Sequence, residues 1–245
     1  MKKIIIIFLV LFVSSFSKEK VIFVTGDYFP YTSRSKVNKG SLIEILEEVG
    51  KRLDLDLVIN FYPWKRCEEL VKNGEAFATL PYIITEERSK IFDFSVSLIE
   101  SEGKLFYMKD KLKNPTWTDY NSLNKYTIGG TLGYWYESVF RLNGLKADYS
   151  PTDEIALKKL YMGRIEILVQ DDVVGWALIK KIYPQEVDKF DTMKKSLNQN
   201  SLHLMVSRKY PNANSLKHRI NLSIEEMKKD GTFDKIIAKY IKKVN

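Results

Sequence analysis

The sequence predicts an α/β protein made of two lobes. Strand and helix patterns alternate twice along the chain, within residues 20–80 and again within 126–182. Each block is followed by an extended run, at residues 103–108 and 201–207, next to a polar stretch. The alternation favours parallel strands covered by helices, and the extended runs divide these elements into two lobes.

The first block begins with a short apolar run at residues 20–25, which is typical of a buried strand before a Gly-Asp turn. Ser41 is predicted to cap a helix whose apolar residues recur at helical spacing. Apolar side chains recur at every second position from Leu55 to Phe61, which predicts a half-buried strand. A helix over residues 66–72, ended by an Asn-Gly pair, and a strand over 76–80 complete the block.

The second block repeats this pattern and leads into a helical C-terminus. Thr152 is predicted to cap the middle helix of the block. Strands are predicted at 126–129 and 166–170, and helices at 134–142, 152–162, 171–182, 215–229 and 232–242. The last two helices are separated at Asp230-Gly231, a pair that ends helices.

The N-terminus has the pattern of a secretory signal peptide. Two lysines precede ten apolar residues, 4–13, and Ser15 and Ser17 supply the small residues of a cleavage site. We expect residues 1–17 to be removed and the mature protein to be exported to the periplasm. The alternative is that this segment forms a buried N-terminal strand.

Composition excludes several classes of protein. The 245 residues include 39 Lys and Arg and 31 Asp and Glu, and the resulting formal net charge of +8 is spread along the chain. No basic cluster is interleaved with aromatic residues, so we expect no nucleic-acid partner. No run reaches the roughly 18 apolar residues that span a bilayer. A single cysteine, Cys67, excludes an intramolecular disulfide and a Cys-based zinc site.

Sequence motifs for catalysis or cofactor binding are missing. There is no phosphate-binding glycine loop, no dinucleotide fingerprint and no Gly-x-Ser-x-Gly elbow. Nothing in the sequence links Cys67 to His203 or His218, so a cysteine nucleophile lacks a base. We therefore expect no cofactor, no metal site and no catalytic group.

Five short motifs in order carry a family resemblance. They are Tyr28-Phe29-Pro30-Tyr31, Gly40 with Glu44, Thr85-x-x-Arg88 with Phe94-Ser95, Gly163-Arg164 with Gln170-Asp171, and Met227-x-x-Asp230-Gly231-Thr232-Phe233. Together, behind a signal-like N-terminus, they resemble the solute-binding proteins of polar-amino-acid ABC importers, bacterial solute-binding protein family 3. The resemblance covers nearly the whole mature chain.

This resemblance implies a type II periplasmic-binding-protein fold, in which two hinge strands connect two lobes around a ligand cleft. Lobe 1 is expected at residues 18–107, with 203–245 returning to it, and lobe 2 at 108–202. The protein is then a monomer without enzymatic activity. It delivers a small ligand, an amino acid or a related carboxylate or amine, to an ABC permease in the inner membrane.

The resemblance also implies a polar binding site. Arg88 matches the arginine that grips the ligand's carboxylate, a role suited to a planar guanidinium. Thr85 is expected either to hold the turn or to contact the same carboxylate. Asp171 matches the acid that takes the ligand's ammonium group, although an aspartate at this point also fits a helix cap.

Aromatic residues are expected to surround the carbon atoms of the ligand. Tyr28 and Trp64 lie where the family places aromatics against the ligand, and Tyr134 and Trp135 follow a glycine where the family has smaller residues. Core packing is the alternative for each of them. Arg66, two residues after Trp64, is expected to face either the cleft or the solvent.

Departures from the family pattern leave the ligand unidentified. Leu80, Pro81 and Ile83 stand where many members have small hydroxyl residues, and Phe77 replaces the usual aspartate. Two other functions stay open on the same scaffold. One is a periplasmic dehydratase acting on cyclohexadienyl acids, which needs a carboxyl group as general acid. The other is a ligand-binding subunit for a membrane sensor.

Overall fold

The computed structural model describes residues 18–241, and the predicted signal peptide lies outside the described residues. The strands are β1 (Glu19–Thr25), β2 (Leu55–Phe61), β3 (Ala78–Ile83), β4 (Asp93–Phe94), β5 (Ile99–Met108), β6 (Ile128–Thr131), β7 (Ala147–Ser150), β8 (Ile167–Asp171), β9 (Phe190–Thr192) and β10 (Asn198–Val206). The helices are α1 (Ser41–Leu53), α2 (Trp64–Asn73), α3 (Glu86–Ser89), α4 (Tyr136–Leu142), α5 (Asp153–Met162), α6 (Asp172–Ile182), α7 (Ala213–Lys229) and α8 (Thr232–Ile241).

The strands join into one sheet in the order β2-β1-β3-β10-β5-β8-β6-β7, with β4 added to β10 and β9 added to β5. Strand β1 pairs in parallel with β2 and β3, and β6 pairs in parallel with β7 and β8. Strands β5 and β10 run antiparallel to each other and to their other neighbours. The sheet therefore contains two parallel groups, as the alternation of strands and helices predicts.

The two parallel groups are connected by β5 and β10. Residues 99–103 of β5 pair with 198–202 of β10. Beyond this stretch β10 continues beside β3, whereas β5 continues beside β8 and β9. We call β1–β4 with α1–α3, α7 and α8 lobe 1, and β6–β9 with α4–α6 lobe 2. The residue boundaries predicted for the lobes, 107/108 and 202/203, stay predictions.

Helices from both ends of the chain close the core of lobe 1. Helix α1 contributes Leu42, Leu46 and Val49, which pack in the same buried cluster as Ile220 and Ile224 of α7. Fully burying one such side chain contributes about 1.5–3 kcal/mol. This shared apolar face fixes the C-terminal helices to the first lobe.

The start of α1 differs from the sequence prediction. Gly40, not Ser41, occupies the capping position, and the Ser41 hydroxyl is buried without a hydrogen-bond partner. Gly40 has φ +96°, and a Cβ there would lie 2.5 Å from the carbonyl oxygen of Tyr31. Close approach of the preceding loop therefore requires glycine here and moves Ser41 into the helix.

Strand β6 of lobe 2 extends two residues beyond the predicted end. The prediction ended the strand at Gly129. A Cβ on Gly129 would lie 2.1 Å from Ile165, and one on Gly130 would lie 2.6 Å from Tyr136. The two glycines thus allow large side chains to pack directly onto the strand.

The predicted cap of α5 is confirmed in the fold. Thr152 caps α5, since its Oγ1 accepts a hydrogen bond from the Ile155 amide at 3.3 Å. None of the helices within residues 18–241 combines the length and the apolar character needed to cross a membrane.

Candidate functional site

Arg88 lies in α3 at the face of lobe 1 that meets lobe 2. Thr85 caps this short helix, because its hydroxyl accepts a hydrogen bond from the Arg88 amide at 3.2 Å. The guanidinium is buried, and its Nη1 donates to the Ile83 carbonyl at 3.2 Å. Its Nη2 donates to the carbonyl of Gly133, in lobe 2, at 3.0 Å. Arg88 therefore bridges the two lobes.

The charge of Arg88 is only partly compensated. Its guanidinium carbon lies 4.6 Å from the ring centroid of Tyr82, a cation–π contact. The carboxylate of Glu68 comes within 3.7 Å of Nη2, beyond normal hydrogen-bond length. The shorter contacts of the guanidinium are thus made to neutral carbonyl oxygens, which a carboxylate can replace with a stronger charge-assisted pair.

Three aromatic rings from both lobes meet beside Arg88. The ring centroids of Tyr28, Trp64 and Tyr134 lie 5.8–6.0 Å apart, and all three pairs are edge to face. Edge-to-face contact at this spacing is favourable for aromatic pairs. We call these three residues the aromatic partition, because cavities lie on both sides of it.

The cavity on one side, the Arg88 cavity, has a volume of about 40 Å³, room for a few water molecules. It is lined by Tyr28, Trp64, Pro81, Tyr82, Ile83, Arg88, Gly133, Tyr134, Trp135 and Leu202. The structure thus brings together five of the seven predicted site residues, and Thr85 lies next to them as the cap of α3. Their roles in binding a ligand stay predictions.

The cavity on the other side, the Asp153 cavity, has a volume of about 410 Å³. Tyr28 and Trp64 line it from lobe 1, and Thr131 and Asp153 line it from lobe 2. The Asp153 Oδ1 accepts from the Thr131 hydroxyl at 2.6 Å, and Oδ2 accepts from the Tyr134 hydroxyl at 2.7 Å. Burial raises the pKa of Asp153, an effect that both hydrogen bonds oppose.

Asp171 lies outside the lining of both cavities. Its Oδ1 accepts from the Val174 amide at 3.0 Å and so caps α6, and its Oδ2 accepts from the Ser101 hydroxyl at 2.6 Å. The side chain is 5% exposed, and burial raises its pKa to about 6. The helix-cap interpretation describes its contacts, while a role in holding the ligand's ammonium stays a prediction.

Arg66 points away from the cleft. Its Nη1 lies 3.4 Å from the Glu69 carboxylate, and its side chain is 52% exposed. Of the two orientations that the sequence left open, the structure has the one toward solvent.

Charged residues hold the lobes together near Arg88. Lys65 of lobe 1 lies 3.1 Å from the carboxylate of Glu137 in lobe 2, which also accepts from the Gly133 amide at 2.8 Å. Exposed pairs of this kind contribute about 0–1 kcal/mol each. The two lobes are therefore in direct contact on this side of the aromatic partition.

A model of the bacterial extracellular solute-binding proteins, family 3, matches residues 21–243. The chain belongs to this family. The match covers both lobes and the two connecting strands. A comparison with curated proteins gives no significant match.

Solved structures with the same fold include members of three functional kinds. One is an ABC uptake transporter substrate-binding protein from Streptococcus pneumoniae with bound histidine (TM-score 0.78, 19% identity, 90% of this chain and 92% of that chain covered). A histidine kinase sensor domain with similarity to periplasmic binding proteins has a TM-score of 0.80, 18% identity and coverages of 91% and 96%. An ancestral amino-acid-binding protein described as a precursor of cyclohexadienyl dehydratase has a TM-score of 0.74, 20% identity and coverages of 91% and 95%.

These likenesses, together with the family match, confirm the predicted family and the two-lobed type II periplasmic-binding-protein fold. At such low identity they describe the fold and not the ligand. Residues of both lobes line the two cavities described above.

Proposed function

We propose that the protein is an exported solute-binding protein that captures a small amino-acid-like ligand between its lobes. It acts as a periplasmic monomer and delivers the ligand to the permease of an ABC transporter. The observation that carries this proposal is the buried Arg88 guanidinium, which reaches across the cleft beside three aromatic rings and is bonded mainly to neutral carbonyl oxygens.

In this proposal the ligand's carboxylate takes the place of the Gly133 and Ile83 carbonyls on Arg88. A charge-assisted hydrogen bond contributes about 1.5–3 kcal/mol, and the planar guanidinium can form two such bonds in parallel. The aromatic partition must part to admit the ligand and then packs against its carbon atoms. Two such bonds contribute about 3–6 kcal/mol, and aromatic burial supplies the rest of the roughly −8 kcal/mol of a micromolar complex after the cost of closure.

The test is calorimetric titration of the purified protein with amino acids, amines and small organic acids. Replacing Arg88 by alanine should weaken the best ligand at least tenfold. Arg66→Ala serves as the matched control, because Arg66 is an exposed arginine of the same lobe, and it should leave affinity unchanged. Unchanged affinity in the Arg88 variant would contradict the assigned site.

Enzymatic activity is the second candidate function, and one feature favours it. Asp153 is a carboxyl group inside the cleft with a pKa raised by burial, the property required of a general acid. Turnover of a cyclohexadienyl acid by the protein, abolished in Asp153→Asn, would establish this alternative. We expect no turnover, because the hydroxyls of Thr131 and Tyr134 donate to the two carboxyl oxygens and so favour the charged form of Asp153 over the protonated form that a general acid needs.

A sensory role is distinguished by the partner and not by the site. Capture of a membrane sensor by the ligand-loaded protein, without stimulation of transport, would favour that role. Uptake of the ligand into vesicles that contain a permease, dependent on added protein, would support delivery to a transporter.

A further inference from the structure

We propose that Asp153 selects ligands that carry a cationic group, an amine or a guanidinium, in addition to the carboxylate held by Arg88. This inference rests on the proposed function and names the substrate class of the same cleft. Several charged residues line the Asp153 cavity.

Asp153 is the carboxylate of this lining that no cation accompanies. Asp27 pairs with Arg34 at 2.7 Å, and Glu154 pairs with Lys181 at 2.8 Å. Within residues 18–241, no lysine, arginine or histidine forms a salt bridge with Asp153; its hydrogen bonds come from two neutral hydroxyls, and the neutral Gln170 amide also lowers its pKa. Asp153 is half-buried, and a carboxylate that loses part of its water without gaining a cation is unfavourable; a positively charged ligand group relieves this.

The carboxyl group of Asp153 has acceptor positions left for that cation. Each carboxylate oxygen has two acceptor positions, and the hydroxyls of Thr131 and Tyr134 use one on each. The residue also lines the 410 Å³ cavity, so a ligand group entering from the cleft can reach it. An ammonium or guanidinium group supplies donors for the remaining positions.

The aromatic partition provides a second attraction for a positive charge. Trp64 and Tyr28 line the Asp153 cavity, and tryptophan is the strongest aromatic partner for a cation. Tyr62, which is 39% exposed, lies at the same cavity and adds another aromatic side chain. An anionic ligand group finds neither attraction here and is repelled by Asp153.

Tyr134 lies between the group that would hold the ligand's carboxylate and the group that would hold its cation. Its ring lines the Arg88 cavity, while its hydroxyl donates to Asp153 at 2.7 Å. Tyr134 thus connects the two sites, with its ring at the carboxylate site and its hydroxyl at the cation site. Amino acids with long basic side chains match this arrangement, whereas short neutral amino acids occupy one end only.

The experiment is calorimetric titration of the purified protein with lysine, arginine, glutamine and glutamate, and with cadaverine and agmatine, which lack the carboxylate. Lysine or arginine should bind at least tenfold more tightly than glutamine, and glutamate should bind most weakly. The two decarboxylated amines should bind more weakly than their parent amino acids but should retain sensitivity to Asp153.

Asp153→Asn should weaken the basic ligand at least tenfold and change glutamine affinity less than threefold. Asp148→Asn is the matched control, because Asp148 is a partly exposed aspartate of the same lobe that pairs with Lys159, and it should change neither affinity. Circular dichroism and the urea midpoint show whether each variant is folded.

The outcomes separate the two proposals. Equal weakening of basic and neutral ligands in Asp153→Asn, or tighter binding of glutamine or glutamate by the parent protein, overturns the cation selectivity alone. The selectivity of the parent protein decides this point even if the variant does not fold. If no ligand of the panel binds, the proposed solute-binding function itself fails at this site.

Discussion

Replacing Asp171 by asparagine should stabilise the protein at neutral pH. Burial of this carboxyl group raises its pKa from 3.8 to about 6, so the folded state binds the proton more tightly than the unfolded chain does. The protonated Asp171 carboxyl group stabilises the folded state fully below about pH 4, and this stabilisation is lost as the pH rises to about 6. At pH 7 the folded protein therefore carries a buried and unfavourable negative charge.

The size of the effect follows from the pKa change. About two pKa units at 1.36 kcal/mol each correspond to about 3 kcal/mol. Asparagine is uncharged throughout this range and keeps an oxygen for the Val174 amide, so the cap of α6 survives. The Ser101 hydroxyl can rotate to accept from the new amide group. The stability of Asp171→Asn relative to the parent should increase by about 3 kcal/mol from pH 4 to pH 7.

Urea denaturation followed by tryptophan fluorescence at pH 4, 5, 6 and 7 measures this difference. Asp171→Ala removes the cap and should be about 1 kcal/mol less stable than Asp171→Asn. Asp188→Asn, at an exposed position, is the control and should stay within about 0.5 kcal/mol of the parent at every pH. A difference between Asp171→Asn and parent that does not change with pH would refute the reasoning.

Two further predictions concern the lobe contact and the free thiol. Gly133→Ala should weaken ligand affinity at least tenfold and lower the unfolding free energy by about 1 kcal/mol, since Gly133 has φ +86° and a Cβ would lie 2.9 Å from the Cβ of Trp64. Calorimetry measures the affinity, and urea denaturation measures the unfolding free energy. Unchanged affinity would argue against closure around this residue. Cys67 should react with a thiol reagent at pH 8 only after urea is added, because the side chain is buried and burial raises its pKa to about 11. Rapid labelling of the folded protein would contradict that burial.

Sequence patterns predicted elements well where apolar spacing alone determines them. The helix now called α1 and strand β2 lie at the predicted residues, because apolar side chains recur at the helical period in α1 and at every second position in β2. Strand β7 was missed, since its four residues, Ala-Asp-Tyr-Ser, are too few and contain only two apolar side chains. Its place in the sheet comes from parallel pairing with β6 and not from its own composition.

In the candidate site too, residues in sequence motifs were predicted, whereas a residue placed there only by tertiary contacts was missed. Arg88 and the aromatic residues were found through motif positions, and the fold gathers most of them around one cavity. Asp153 was not singled out, because in sequence it is simply the first residue of a helix capped by Thr152. Its contacts with Thr131 and Tyr134 exist only because β6 and α5 pack together, which no spacing in the sequence reveals.

Because β5 and β10 connect the two lobes, the lobes are completed at different times during synthesis. Lobe 2 lies between these strands as one uninterrupted stretch, whereas the sheet of lobe 1 needs β10 and its helix layer needs α7 and α8. During synthesis the second lobe is therefore complete before the first. Until the final helices are in place, the apolar face of α1 that packs against Ile220 and Ile224 lacks its cover.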